Sequence, residues 1–149
     1  MENAPYPKAK FEVRPSKIIA GEAGLFSLRE FLPGEVVVPH SNWDESRLIS
    51  WSEFEKIDPA TKRQLIYFCY KTEEGVHAPQ DINKLNIAYF MNHSCDPCVV
   101  CAENGDYVAK RKINVGEEFT IDVEALMQKH VYSFDCKCGS KNCRGVVKI

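Results

Sequence analysis

Residues 92–97 read NHSCDP and form the most unusual stretch of the chain. An amide, an imidazole, a hydroxyl and a thiol follow one another directly after an apolar run at residues 87–91. A core strand has no need of these groups, because a buried polar atom must be matched by a partner or by a ligand. The stretch therefore predicts a functional site.

A second polar cluster lies near the end of the chain. Cys136, Cys138 and Cys143 place three thiols within eight positions. Such close spacing is typical of thiolates that wrap around one metal ion, and zinc is commonly bound in this way. The spacing therefore predicts a metal site rather than separate disulfide bonds.

The composition predicts one domain that binds neither nucleic acid nor membranes. A chain of 149 residues with 44% hydrophobic residues can bury a single core. The formal net charge of −2 argues against nucleic acid as a partner, since phosphate binders usually carry a basic excess. No apolar run approaches the roughly 20 residues of a membrane span.

The cysteine content indicates a reducing compartment. The chain has seven cysteines, an odd number, and residues 1–10 form a polar, flexible lead-in without the apolar core of a secretory signal. Reduced thiols are the rule in the nucleus and cytoplasm. We therefore expect a nuclear or cytoplasmic protein.

The local patterns predict a mainly β fold with short helices. Two short runs flank Asn104-Gly105 and predict a hairpin, residues 99–101 and 107–109. Asp58-Pro59 is typical of a helix start, and this helix is expected to end near Leu65. The aromatic run at residues 66–70 favours a strand, and residues 73–83 are expected to form a polar loop.

Four motifs, in this order, resemble those of the SET-domain protein lysine methyltransferases. They are GEAGLF at residues 21–26, NHSCDP at 92–97, GEEFTID at 116–122 and CKCGSKNCRG at 136–145. The resemblance implies several small curved sheets with a pseudoknot-like crossing of the second and third motifs. It implies a SET domain over residues 11–131 and a post-SET zinc tail over residues 132–149.

The resemblance also implies the cofactor S-adenosylmethionine and a protein or peptide substrate with a target lysine, histone tails being the first candidates. The loop at residues 73–83 is expected to shape the peptide groove. The residues implied in cofactor binding are Glu22, Ala23, Gly24, Leu25, Tyr89, Asn92, His93 and Phe134. Two of them have a structural alternative, since Tyr89 could be plain core and Phe134 could pack under the zinc site.

The fourth zinc ligand comes from the resemblance. A closed structural zinc site needs four ligands. In the family the cysteine of the NHSC motif is the fourth, and here it is Cys95. A rival set remains open, because Cys98 and Cys101 follow Cys95 at intervals of three residues.

The chain departs from the family at Val123. Family members carry a tyrosine after the aspartate of the third motif, and its hydroxyl faces the lysine channel; here Asp122 is followed by Val123. Tyr70 is the catalytic residue that we expect instead, with Tyr67 and Tyr132 as further candidates. Two functions stay open: a methyltransferase, and a SET-fold binding module with weak or lost methyl transfer.

Overall fold

The computed structural model describes residues 5–43 and 46–149, so positions 1–4 of the expected lead-in lie outside the described residues. Within these ranges the chain forms short strands, three α-helices and two 3-10 helices. The helices are α1 (Trp51–Phe54), α2 (Pro59–Phe68) and α3 (Val123–Leu126), with 3-10 turns at His40–Asn42 and Ile87–Phe90. The strands are β1 (Phe11–Pro15), β2 (Ala23–Ser27), β3 (Val36–Val38), β4 (Arg47–Ser50), β5 (Tyr70–Lys71), β6 (Gly75–Ala78), β7 (Asn92–His93), β8 (Val99–Cys101), β9 (Tyr107–Ala109), β10 (Thr120–Ile121), β11 (Ser133–Asp135) and β12 (Val146–Lys148).

The strands are divided among small sheets, as the mainly β expectation requires. The central sheet has the order β3-β9-β8-β10-β7. Three smaller antiparallel sheets pair β1 with β2, β11 with β12, and β6 with both β4 and β5. Because the sheets are small, most functional side chains lie where one sheet meets another.

The second and third motifs lie side by side in the central sheet. Strand β10 runs parallel to β7, with Thr120 beside Asn92 and Ile121 beside His93. It also runs parallel to β8, where Ile121 pairs with Val99. The chain thus forms the β8–β9 hairpin and then returns to place β10 between β7 and β8, which brings residues far apart in sequence into one site.

The hairpin around Asn104-Gly105 is confirmed, but its turn differs from the simplest two-residue form. Val99, Val100 and Cys101 pair with Ala109, Val108 and Tyr107. Only Gly105 has a positive φ, at 87°, so the turn is not the type that needs two left-handed residues. A longer loop, in which Ala102 donates to the carbonyl of Asp106, closes the hairpin.

Two expectations about the middle of the chain are wrong. Helix α2 begins at Pro59 after the Asp58 cap, as predicted, but it continues to Phe68 where a strand was expected. The ammonium group of Lys71 donates to the carbonyls of Ile66 and Cys69 and so stabilises this helix end. The expected polar loop at residues 73–83 contains strand β6, whose Val76 is fully buried.

The core is divided into two clusters. The larger one lies under the central sheet and includes Phe31, Val99 and Phe119. The smaller one joins α1 and α2 to strand β6 and includes Phe54, Leu65 and Val76 among others. Ile66 and Phe68 also pack against this cluster, so the hydrophobic effect favours the extension of the helix to Phe68.

Candidate active site and zinc centre

Four cysteines converge at the end of strand β7. The sulfur atoms of Cys95, Cys136, Cys138 and Cys143 all lie within 4.8 Å of one another. Cys95 Sγ lies 3.8 Å from Cys136 Sγ, and a tetrahedron with Zn–S bonds of about 2.3 Å has edges of about 3.8 Å. The four sulfurs, here called the zinc cluster, therefore fit a structural zinc ion.

The rival cysteines lie elsewhere. Cys98 is fully buried, and its sulfur accepts a hydrogen bond from the Thr120 backbone N–H at 3.3 Å. Cys101 is exposed on the hairpin. The spacing of three residues therefore does not bring these thiols to one ion.

The C-terminal tail is held to the body of the protein close to the zinc cluster. The backbone N–H of Arg144 donates to Cys95 Sγ at 3.4 Å, and its guanidinium donates to Asp122 Oδ1 at 2.8 Å. The hydrogen bond with Asp122, the largest cause, raises the pKa of Arg144. The backbone N–H of Lys148 donates to Glu124 at 2.8 Å. The tail thus contacts the residues that follow strand β10.

His93 connects the zinc cluster to the same segment. Its Nδ1 accepts a hydrogen bond from the Val123 backbone N–H at 3.2 Å, and its Nε2 lies 3.3 Å from Cys95 Sγ. Burial, the largest cause, lowers the pKa of His93, although Asp122 acts in the opposite direction. A neutral ring with its Nδ1 lone pair used by Val123 carries its hydrogen on Nε2. That hydrogen points at the zinc-cluster sulfur, and the ring therefore orients Cys95.

Asn92 and Glu118 meet where β7 and β10 run side by side, a place we call the polar crossing. The Asn92 amide donates to the Ala23 carbonyl at 2.9 Å and to Glu118 Oε1 at 3.0 Å. Glu118 is largely buried and also accepts hydrogen bonds from the Ser16 hydroxyl and the Lys17 backbone N–H. Both amide hydrogens of Asn92 are thus used. No donor among residues 5–43 and 46–149 engages its side-chain carbonyl oxygen, so this oxygen can accept a hydrogen bond from a ligand.

Gly24 stands where the first motif contacts the polar crossing. A Cβ atom at this position would lie 2.5 Å from Glu118 Oε1, so a larger residue would displace the carboxylate. Glu22 and Ala23 are exposed just before it, and Leu25 is fully buried. Of this loop, therefore, residues 22 and 23 are open to a ligand, whereas Leu25 contributes core packing.

Phe134 lies on strand β11 and is half-buried. Its ring stands edge-on to the His93 ring, with centroids 6.1 Å apart. This contact packs Phe134 beside the zinc cluster and the polar crossing. The rest of the ring remains available for stacking, so both expectations for Phe134 stay predictions.

A cavity of about 970 Å³ lies between the 3-10 turn at His40–Asn42, strands β5 and β6, and the segment that includes Ala125. Aromatic rings make up much of its wall, and we call it the aromatic cavity. Trp43 belongs to this wall, with the Tyr89 ring 5.3 Å and the Tyr107 ring 5.5 Å away, both nearly perpendicular. Tyr89 also packs against Phe68 at 5.8 Å. Tyr89 therefore belongs to this wall.

The structure separates the three tyrosines that could replace the missing hydroxyl. Tyr70 lines the aromatic cavity. Tyr67 and Tyr132 are exposed on the outer surface, where their rings contact each other at 6.0 Å. Tyr70 is therefore the one of the three that a lysine entering the aromatic cavity can contact.

Val123 is the first residue of α3 and is partly buried against the main core. The next part of the chain contributes Ala125, Leu126 and Met127 to the aromatic cavity. This side of the cavity is therefore apolar.

Sequence reasoning did not assign roles to several residues of these sites. Glu118 stands in the recognised motif GEEFTID, and its place in that motif could have indicated its role. The cavity residues Trp43, Tyr107 and His77 come from separate parts of the chain. No local sequence pattern therefore indicates that they share a cavity.

Comparison with known proteins identifies the family. The family model described as SET domain matches residues 22–122. The chain belongs to the SET-domain family. Histone-lysine N-methyltransferase set-2 of Caenorhabditis elegans is 30% identical over 130 residues, which cover 82% of this chain and 8% of that protein. Histone-lysine N-methyltransferase SETD1B of Homo sapiens is 39% identical over 69 residues, 42% of this chain and 3% of that protein.

These SET-domain relatives are lysine methyltransferases by name, and the chain spans only a small part of each. A further example is Histone-lysine N-methyltransferase trr of Drosophila melanogaster, 37% identical over 65 residues, 39% of this chain and 3% of that protein. The mainly β fold and the family recognised from the motifs are confirmed. In residues 5–43 and 46–149, no helix has the length and apolar character to cross a membrane.

Proposed function

We propose that this SET-domain protein is an S-adenosylmethionine-dependent protein lysine N-methyltransferase with a structural zinc ion. The observation that carries the proposal is the polar crossing, where Asn92 and Glu118 fix each other beside the exposed Glu22 and Ala23. An open carbonyl oxygen and an exposed carboxylate suit the ammonium end of the cofactor. The Ala23 and Gly24 backbone lies at the same edge.

Each side of the site has its own role in this mechanism. S-adenosylmethionine supplies a methyl group bonded to a positively charged sulfur. Asn92 and Glu22 bind the amino-acid end of the cofactor, the His93 backbone and the Phe134 ring hold its adenine end, and the zinc cluster holds the tail in position. The aromatic cavity takes the lysine side chain and excludes water, and Tyr70 orients the amine.

The substrate is a protein or peptide lysine, and histone tails are the first candidates because the named relatives act on histone lysine. A histone substrate implies a nuclear location, and another protein substrate would allow a cytoplasmic one. We also propose that residues 11–131 act as the SET domain and residues 132–149 as the post-SET tail. With a net charge of −2, the chain is not proposed to bind nucleic acid directly.

A second candidate is a SET-fold module that binds cofactor or peptide with little methyl transfer. The apolar Val123 favours it, because an oriented hydroxyl contributes on the order of 10²–10³ in rate in other enzymes. Loss of this group would leave a slow enzyme. The two candidates therefore differ in turnover and not in fold.

Calorimetric titration of zinc-loaded protein with S-adenosylmethionine tests the cofactor site. We expect a dissociation constant in the micromolar range, about −8 kcal/mol. Asn92→Ala should weaken binding by at least about 30-fold, because it removes the acceptor and releases Glu118. The matched control is Asn83→Ala, since Asn83 is exposed and bonds only locally to Asp81.

Methyl incorporation into core histones then separates the two candidates. Transfer that is lost in Asn92→Ala supports the enzyme. Tight cofactor binding with no transfer to any protein lysine supports the binding module. Absence of cofactor binding by folded, zinc-replete protein would contradict the enzyme.

A further inference from the structure

The aromatic cavity contains an imidazole that the proposed function does not use. His77 lies on strand β6, directly across from Tyr70 on β5. The two rings are 5.3 Å apart and tilted by 45°, and both residues line the aromatic cavity. A titratable nitrogen base thus stands beside the tyrosine that we expect to orient the target amine.

The hydrogen bonds of His77 leave one ring nitrogen available. His77 Nε2 lies 3.2 Å from the Thr72 hydroxyl, which can itself donate to the Gly75 carbonyl at 3.5 Å. With the hydroxyl turned to Gly75, the Nε2 hydrogen points to Thr72 and the lone pair lies on Nδ1. Within residues 5–43 and 46–149, no protein hydrogen bond engages this Nδ1.

The target lysine must lose a proton before it can accept a methyl group. A lysine in water is mostly an ammonium ion at neutral pH, and only the neutral amine can attack a methyl group. Val123 has no hydroxyl to receive or relay a proton, and the adjoining cavity residues Ala125 to Met127 are apolar. The described cavity wall contains two imidazoles, His40 and His77. His40 lies on a 3-10 turn, whereas His77 lies across from Tyr70.

We propose that His77 is a catalytic base that takes the proton from the target lysine in the aromatic cavity. The lysine N–H bond breaks, its electron pair stays on the lysine nitrogen, and the proton binds His77 Nδ1. The imidazolium then releases this proton to solvent. The inference rests on the proposed function, since it assigns a role in the same reaction.

The surroundings of His77 are known from every element that packs around the cavity. Tyr70 comes from β5, and β4 places Leu48 across from His77 on the other side. The other titratable groups of the cavity wall are His40, Lys84, Tyr89, Cys101 and Tyr107. A lysine that enters beside these groups adds a positive charge close to the imidazole.

The pH dependence of kcat/KM on core histones tests the role of His77. For His77→Gln we expect a loss of about 100-fold at pH 7, within the range that general bases contribute. The loss should shrink at least about tenfold by pH 9, because more of the substrate amine is then neutral without a base. Thr72→Val removes the hydroxyl beside His77 and should give a smaller loss of activity. Thr72→Ser keeps a hydroxyl and should keep the wild-type activity.

His130→Gln is the matched control, because His130 is exposed and does not line the aromatic cavity. It should keep the wild-type profile. A loss in His77→Gln that is equal at every pH would indicate a structural role and overturn the inference. So would an unchanged profile.

A binding measurement distinguishes failure of this inference from failure of the proposed function. The imidazole C–H signals of His77 are recorded by NMR with and without N-acetyl-lysine methylamide. Contact with the lysine amine should change these chemical shifts, and N-acetyl-norleucine methylamide should not. Equal effects of the two amides would overturn the role of His77 even if histones are methylated. A lysine-specific shift without methyl transfer would instead place the failure in the proposed reaction.

Discussion

The polar crossing and the aromatic cavity are stabilised in different ways. At the polar crossing, Asn92 and Glu118 are joined by hydrogen bonds to backbone and side chains far away in sequence. In the aromatic cavity, Trp43 and Tyr89 contact each other through ring packing. Hydrogen bonds depend on fixed distances, whereas apolar packing tolerates changes of shape if volume is kept.

This difference explains where the chain departs from its family. The zinc cluster and polar crossing contain the residues that the motifs predict, and moving any one would leave a buried partner unpaired. The segment that leads into the cavity wall has Val123 where the family has a tyrosine, and Val123 packs against the core. Mutations at the polar crossing and the zinc cluster should therefore have large effects on cofactor or zinc binding. Mutations near the cavity should have smaller effects on activity.

Loss of zinc should have the largest effect. Without an ion, four close thiols cannot all be thiolates, and zinc binding in small domains supplies roughly 10 kcal/mol or more of apparent stability. We expect Cys95→Ser to lower zinc content below one ion per chain and to release the tail. Elemental analysis and proteolysis of the tail measure this. Cys101→Ser is the control, since Cys101 lies outside the zinc cluster.

If Cys95→Ser bound zinc as tightly as the wild type and kept its tail protected, the Cys95 sulfur would not be a ligand. The zinc cluster would then lack its fourth ligand. His93, whose Nε2 faces this sulfur, would need another partner.

Val123→Tyr should have an intermediate effect. A hydroxyl added at this position, two residues before the cavity residue Ala125, should raise methyl transfer at least about tenfold, by the same reasoning that makes its loss costly. Val123→Phe adds the ring without the hydroxyl and should give no such gain. Kinetics with histones and a fixed saturating cofactor concentration compare the three proteins. Equal rates for all three would mean that this position does not face the amine.

The fold could be predicted as far as motifs and local patterns extend. The motif at residues 92–97 indicated the crossing, and the Asn104-Gly105 pair indicated the β8–β9 hairpin. The strand expected at residues 66–70 was wrong because a local pattern does not reveal that Ile66 and Phe68 pack on the smaller core cluster and that Lys71 caps the helix. Tertiary packing overrides intrinsic propensity at such places.

The candidate site was predictable in the same uneven way. The four cysteines and Asn92 belong to recognisable motifs, and the structure brings the cysteines together. The aromatic cavity was not predictable, because Trp43, Tyr107 and His77 stand on different elements and have ordinary neighbours in sequence. Only the topology of the sheets shows that they face one space.

Mutation of Lys71 should have the smallest effect, on the pH dependence of the free energy of unfolding. It also tests what stabilises the cavity wall beside Tyr70. Lys71 is fully buried, and burial lowers its pKa to about 8, with the Cys69 thiol acting in the opposite direction. The unfolded chain therefore binds more protons than the folded one between pH 8 and the ordinary value of 10.5. Stability should rise with pH in this window. Burial raises the pKa of Cys69 to about 11, so above its ordinary value of 9.0 this thiol opposes the rise.

The clearest window is thus pH 8 to 9, where urea unfolding of zinc-loaded protein should show the Lys71 contribution. Lys71→Met should be less stable at every pH, because the carbonyls of Ile66 and Cys69 lose their donor. Its stability should rise less steeply with pH than that of the wild type, by at most about 1.4 kcal/mol per pH unit. Lys56→Met, at an exposed position, should keep the wild-type slope. Parallel curves for wild type and Lys71→Met would mean that the buried amine does not change its charge here, and that the wall beside Tyr70 is held by packing alone.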